Sequence, residues 1–102
     1  MEIAIKRIDE NTCMVTTLEA MTSAVANHLL ANINYEIIKV DPRGYTLTTG
    51  SAFNIESQQH IHYGTIECRI VKGNLEGLVD DLKEKFALQD PLSNGDTWTL
   101  TF

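Results

Sequence analysis

The stretch LEGLVDDLKEKF, residues 75 to 86, decides the fold class of this chain. Its apolar residues recur at i, i+3, i+4, i+7 and i+11, which is the spacing of one face of an α-helix. Gly73-Asn74 ends the segment before the stretch, and Asp90-Pro91 after it predicts where the helix stops. The apolar stripe of the predicted helix consists of Leu75, Leu78, Val79, Leu82 and Phe86.

Alternating segments on either side of this helix predict strands. After it, a turn at residues 93–96 leads to TWTLTF, in which Trp98, Leu100 and Phe102 alternate with threonines. Before it, residues 59–71 predict one long strand, or two strands divided at Gly64.

Residues 35–49 predict a β-hairpin. Residues 35–40 are β-branched and aromatic, and Asp41-Pro42-Arg43-Gly44 offers the residue types that suit a four-residue turn. The return strand would then be YTLTT, residues 45–49.

The N-terminal third predicts two strands and a helix. Ile3, Ile5 and Ile8 mark a first strand, and residues 13–16 a short second one. Thr16 and Glu19 have the spacing of a helix capping box, so we place a helix at about residues 17–32.

These elements predict a single globular α+β domain that spans residues 1–102. Two helices should pack on a largely antiparallel sheet of about five or six strands, in the order strand, short strand, helix, strands, helix, strand. A ferredoxin-like arrangement with an additional strand is one candidate topology among several.

The charge and composition limit the class of partner. The net charge is −6 at pH 7, whereas binding to nucleic acid or anionic membranes depends on clustered Lys and Arg, so we expect neither partner. No apolar run has the length of a signal peptide or a membrane span, which favours a cytoplasmic protein. Cys13 and Cys68 lie among apolar neighbours and should be buried, reduced thiols.

The segment QQHIHYGTIECRI, residues 58–70, contains a candidate metal site. His60 and His62 would point to the same face of a strand, where both rings could bind one transition ion with a third ligand such as Glu56. A bulge at Gly64 would instead turn both histidines to solvent and bury the apolar residues, and we favour this interpretation. We therefore expect no cofactor, and His28 should be a half-buried, hydrogen-bonded residue.

The predicted helix at residues 75–86 carries a second candidate site. Glu76, Asp80 and Glu84 follow one another at intervals of four, which places like charges side by side on an exposed face. A basic partner would compensate for their repulsion. Alternatively, the acids suit the helix dipole and pair locally, Asp80 with Lys83 and Asp81 with Lys85.

The leading hypothesis is a small, non-enzymatic protein that binds another protein, as an inhibitor or accessory subunit, through its acidic helix face. It could also form a homodimer through an exposed strand edge. The alternative is a metal- or small-molecule-binding protein, with an enzyme included, that uses His60 and His62. A ligand pocket lined by Tyr35, Tyr45, Phe53 and Trp98 is a third hypothesis.

Overall fold

The structure is a computed structural model that describes residues 2–49 and 59–102, with side chains described for residues 2–42 and 63–102. Strands and helices follow the predicted order with two differences: residues 35–49 form one strand, and a short strand that the sequence did not predict precedes the last one. They are β1 (Glu2–Arg7), β2 (Thr12–Leu18), α1 (Glu19–Leu30), β3 (Tyr35–Thr49), β4 (Gln59–Ile70), α2 (Leu75–Lys85), β5 (Leu92–Asn94) and β6 (Thr97–Thr101).

The strands form one six-stranded sheet in the order β3-β4-β2-β1-β6-β5. Every neighbouring pair is antiparallel, and β6 lies inside the sheet because it pairs with both β1 and β5. The predicted α+β fold class is confirmed. Relative to a ferredoxin-like β-α-β-β-α-β order, the chain has two further strands, β1 inside the sheet and β5 at its edge.

Both helices pack on the same face of the sheet. Alternate strand residues and the apolar sides of the two helices form one core, to which α1 contributes Val25 and Leu29. The predicted stripe of α2 lies in this core, with Phe86 half-buried at its margin. The buried strand residues are Ile3, Ile5, Cys13, Val15, Ile66, Cys68, Ile70, Trp98 and Leu100.

The predicted bulge at Gly64 is wrong. The pairing of β4 with β2 runs without a shift from Tyr63 to Arg69, and Gly64 lies on the same buried face as Ile66. The glycine instead makes room for α1, because a Cβ atom at this position would lie 2.1 Å from Thr22 Oγ1.

The predicted hairpin turn at Asp41-Pro42-Arg43-Gly44 is also wrong, since β3 continues through it to Thr49. Between the pairs Asp41–Thr65 and Tyr45–Tyr63, β3 advances four residues while β4 advances two, so β3 bulges there. A bulge tolerates Pro42, which has no N–H to donate to a ladder, and β4 supplies a partner on both sides of it.

The capping box at Thr16 and Glu19 does not form. Thr16 still pairs with Ala4 and Thr65 in the sheet, and α1 begins at Glu19 without a side-chain cap. Sheet pairing on both sides of β2 therefore outweighs the local capping signal.

Candidate binding site on helix α2

Helix α2 begins and ends with well-defined caps. At its N-terminus, Asn74 Oδ1 accepts a hydrogen bond from the Gly77 N–H at 2.8 Å. At its C-terminus, Leu88 N donates to Lys83 O at 2.9 Å and Ala87 N donates to Glu84 O at 3.4 Å, which is the Schellman pattern. Helix α2 therefore ends at Lys85, before the Asp90-Pro91 pair that the sequence predicted as its stop.

Ala87 occupies the left-handed position of this Schellman motif, with φ of 53°. Glycine is the usual residue there, because a Cβ atom is strained in the left-handed region. The strained alanine lies directly beside the acidic side chains of α2.

The acidic stripe, which we define as Glu76, Asp80 and Glu84, is exposed along its whole length. Asp80 and Glu84, the two members nearer the C-terminus of α2, border an open groove of about 450 Å³. Lining this groove are Asp80, Lys83, Glu84, Ala87 and Leu88. Carboxylates thus stand beside an apolar surface that the C-terminal turn of α2 provides.

The members of the stripe differ in their ion pairs. Glu76 Oε1 lies 3.7 Å from Arg7 Nη2, and Arg7 also approaches Asp96 at 3.7 Å and stacks over Trp98 at 5.6 Å. Glu76 is therefore part of a network that ties α2 to β1 and β6.

Asp80 and Glu84 make no ion pair with any described side chain. The local pairs that the spacing allows are not closed at ion-pair distance, because Lys83 binds Asp90 and Asp81 turns towards α1. Asp90 raises the pKa of Lys83, and the charge of Asp80 still acts on Lys83 and adds to this effect. These two carboxylates are the part of the stripe that faces the groove.

A polar cluster that the sequence did not indicate joins both helices to the sheet. Asp81 Oδ2 on α2 lies 3.1 Å from His28 Nε2 on α1 and accepts a hydrogen bond from the Tyr35 hydroxyl of β3 at 3.3 Å. The His28 ring also meets Phe86 edge to face at 6.0 Å. The prediction that His28 is half-buried and hydrogen-bonded is confirmed.

The Tyr35 phenol is perturbed in this cluster. Burial, followed by the charge and the hydrogen bond of Asp81, raises the pKa of Tyr35 from 10.0 to about 12. No local sequence pattern could have shown this cluster, since His28 and Asp81 are 53 residues apart.

Cys13 and Cys68 are direct cross-strand partners on β2 and β4, and both are free and fully buried. Their mutual hydrogen bond raises the pKa of Cys13, with burial acting in the same direction, and lowers the pKa of Cys68. The prediction of buried thiols is confirmed, and their adjacency depends on the strand order, which the sequence did not reveal.

His60 and His62 lie on the end of β4 that extends past Leu18, the last residue of β2. Their backbones pair there with Thr48 and Thr46 of β3. The side chains of both histidines, and Glu56 altogether, lie outside the described part of the chain, so the predicted metal site stays a prediction. Within that part, no group of three or more potential metal ligands occurs.

The hypothetical aromatic pocket lies only partly within the described side chains. Trp98 belongs to the core and Tyr35 packs against it, whereas the side chains of Tyr45 and Phe53 lie outside this region. The described members therefore serve as packing residues.

In comparisons with protein-family models, curated proteins and solved structures, the chain gives no significant match. Within the described residues, no helix combines the length and apolarity that crossing a membrane requires. A functional inference therefore depends on the residues themselves, and the groove beside α2 offers the most specific arrangement of charge and shape.

Proposed function

We propose that this protein acts by binding a basic protein partner, as an inhibitor or accessory subunit does, and that Asp80 and Glu84 on α2 are the centre of the contact. The observation that carries the proposal is the presence of two exposed carboxylates, without described ion-pair partners, in a groove that Ala87, Leu88 and Lys83 complete.

The energetics of an isolated helix support a partner. Like charges four residues apart cost a few tenths of a kcal/mol on a solvated helix. Glu76 is compensated by Arg7, whereas Lys83, which also lines the groove and is attracted by Asp80, forms its ion pair with Asp90. A basic side chain from outside would remove the remaining repulsion between Asp80 and Glu84.

The groove has the chemistry to receive a lysine or arginine side chain. The aliphatic stem of such a residue can lie over Ala87 and Leu88 while its charged end meets the two carboxylates. The net charge of −6 would also accelerate the approach of a basic protein, since long-range attraction acts mainly on the association rate.

The test is the charge-reversal variant Asp80→Lys/Glu84→Lys. Immobilised wild-type protein should retain basic proteins from a lysate, and the variant should lose the same proteins while its circular dichroism spectrum and thermal unfolding stay unchanged. The retained proteins should bind at least roughly tenfold more weakly to the variant, and binding to the wild type should weaken as salt is raised.

A matched control separates the site from overall charge. Asp80→Asn/Glu84→Gln and Glu10→Lys both raise the net charge by two units, but Glu10 lies in the turn between β1 and β2. Only Asp80→Asn/Glu84→Gln should lose the basic proteins that the wild type retains. Equal capture by the wild type and Asp80→Lys/Glu84→Lys would refute the proposal, as would turnover of a substrate that depends on one or two polar residues.

A further inference from the structure

The face of the sheet that points away from the helices is not covered by any described element, because α1 and α2 both pack into the core on the other face. We call it the open face. Its centre is uncharged and its side chains there are half-buried by their neighbours. These central residues are Ala4, Met14, Thr16, Thr65 and Thr99.

We propose that the open face is the interface of a symmetric dimer, in which it stacks on the open face of a second copy of the chain. An uncharged centre with charged residues around it is the usual composition of a protein–protein interface. In a symmetric dimer the same surface must complement itself, so charges must lie in opposite pairs about the two-fold axis.

The three inner strands of one cross-strand row on the open face meet this condition, whereas Lys39 of β3 continues the row beside Glu67 and would face Thr97 of the second copy. Lys6 of β1, Met14 of β2 and Glu67 of β4 are direct neighbours in the register. Neither Lys6 nor Glu67 forms an ion pair with a described side chain. Opposite charges therefore flank Met14 at equal distances, one strand away on each side.

The position of the axis follows from this row. A two-fold axis that runs along β2, midway between the stacked sheets, places Lys6 opposite Glu67 of the second copy and brings the two Met14 side chains together. The same rotation exchanges β1 with β4 and β6 with β3, so five strands overlap and only β5 lies outside.

The overlapping area is sufficient for a weak, transient contact. Strands spaced about 4.8 Å apart and roughly 20 Å long give a five-stranded face of about 500 Å². Two copies would then bury about 1,000 Å², which is below the range of stable specific interfaces and within the range of weak, transient ones. We therefore expect a dimer that dissociates on dilution.

Stacking of faces is favoured over pairing of strand edges. The edge strand β3 is interrupted by shifts after Ile37 and after Asp41, and the other edge, β5, has only three residues. Bulged, proline-containing and short edge strands all discourage edge-to-edge pairing. In the stacked dimer both α2 helices stay on the outside, so this proposal is independent of the proposed function.

The test uses Lys6→Glu and Glu67→Lys in sedimentation equilibrium over a range of protein concentrations. Wild-type protein should approach twice the chain mass of 11.4 kDa as its concentration rises. Each variant alone should remain monomeric. In a dimer of Lys6→Glu, both contacts between positions 6 and 67 would join two acids, and in a dimer of Glu67→Lys both would join two bases. An equimolar mixture of the two variants should recover the dimer, since every contact is then again between opposite charges.

Controls distinguish the face from general charge effects. Lys72→Glu and Glu10→Lys change the charge equally at exposed positions outside the strands, and Asp80→Lys/Glu84→Lys changes α2, so all three should dimerise like the wild type. If either face variant loses its native circular dichroism, Met14→Lys is the second disrupting variant, because the axis would bring two lysines together. A wild type that stays monomeric, or a mixture that stays as monomeric as its components, overturns the proposal.

Discussion

At the scale of single residues, Gly64 shows how close packing is achieved between α1 and the sheet. Thr22 Oγ1 on α1 lies 3.1 Å from Thr17 Oγ1, and the Thr22 hydroxyl donates a hydrogen bond to Leu18 O at 3.1 Å. These buried hydroxyls satisfy one another only because the helix lies against a residue without a side chain. Gly64 is thus required for contact between elements and not for a turn.

We expect Gly64→Ala to lower the free energy of unfolding by roughly 1–3 kcal/mol, the usual cost of inserting a methyl group into a packed core. The new Cβ would meet three atoms of Thr22 at 2.9 Å or less. Chemical denaturation monitored by Trp98 fluorescence measures the loss. The control Gly77→Ala, whose Cβ would meet only Asn74 Oδ1 at 3.3 Å, should not lose stability and should gain up to about 1 kcal/mol, because alanine favours the helix; an equal loss in both variants would contradict this account of Gly64.

At the scale of elements, α2 is determined both by its apolar stripe and by its caps. The stripe fixes the face that is buried, whereas the Schellman motif at Ala87 fixes the place where the chain leaves the helix. Because that turn also lines the groove, the strain at Ala87 lies beside Asp80 and Glu84. Strained backbone of this kind is often retained next to functional residues.

We expect Ala87→Gly to stabilise the protein by about 1 kcal/mol, because glycine adopts the left-handed conformation without a steric penalty. Thermal or chemical unfolding measures the gain. Ala24→Gly, at an exposed position inside α1, should instead cost about 1 kcal/mol, the normal difference in helix propensity. A loss of stability in Ala87→Gly would show that this position is not left-handed in solution.

At the scale of the whole molecule, the cluster of His28, Asp81 and Tyr35 joins α1, α2 and β3. It lies at the margin of the core, and Phe86 covers His28. The two helices are therefore connected to each other and to the sheet by polar contacts as well as by apolar packing, and the protonation of Tyr35 should influence the stability of the complete fold.

Since the folded state raises the pKa of Tyr35 from 10.0 to about 12, it holds the phenol proton more tightly than the unfolded chain does. Its stabilising contribution is fully present below pH 10 and is lost as the pH rises to 12. Wild-type protein should therefore lose stability more steeply than Tyr35→Phe across this window in unfolding experiments at successive pH values. Parallel curves for the two proteins would contradict the linkage.

How far the sequence predicted the fold can be judged from particular segments. The spacing of Leu75, Leu78, Val79 and Leu82 predicted α2 and its buried face, since amphipathic periodicity is a local property. Local turn and cap signals failed at Thr16, at Asp41 to Gly44 and at Gly64. In each case a neighbouring strand or helix supplied contacts that outweighed the local preference.

For the candidate site too, residue spacing predicts some features and tertiary packing decides the others. The sequence by itself determined the α+β class, the helix α2 and the presence of three acids on one exposed helix face, because residue spacing fixes all of these. Only the tertiary structure decided that Arg7 engages Glu76 while Asp80 and Glu84 border a groove, and that Asp81 meets His28 and Cys13 meets Cys68. Those contacts join residues far apart in the chain, so they depend on strand order and helix packing, which no local pattern encodes.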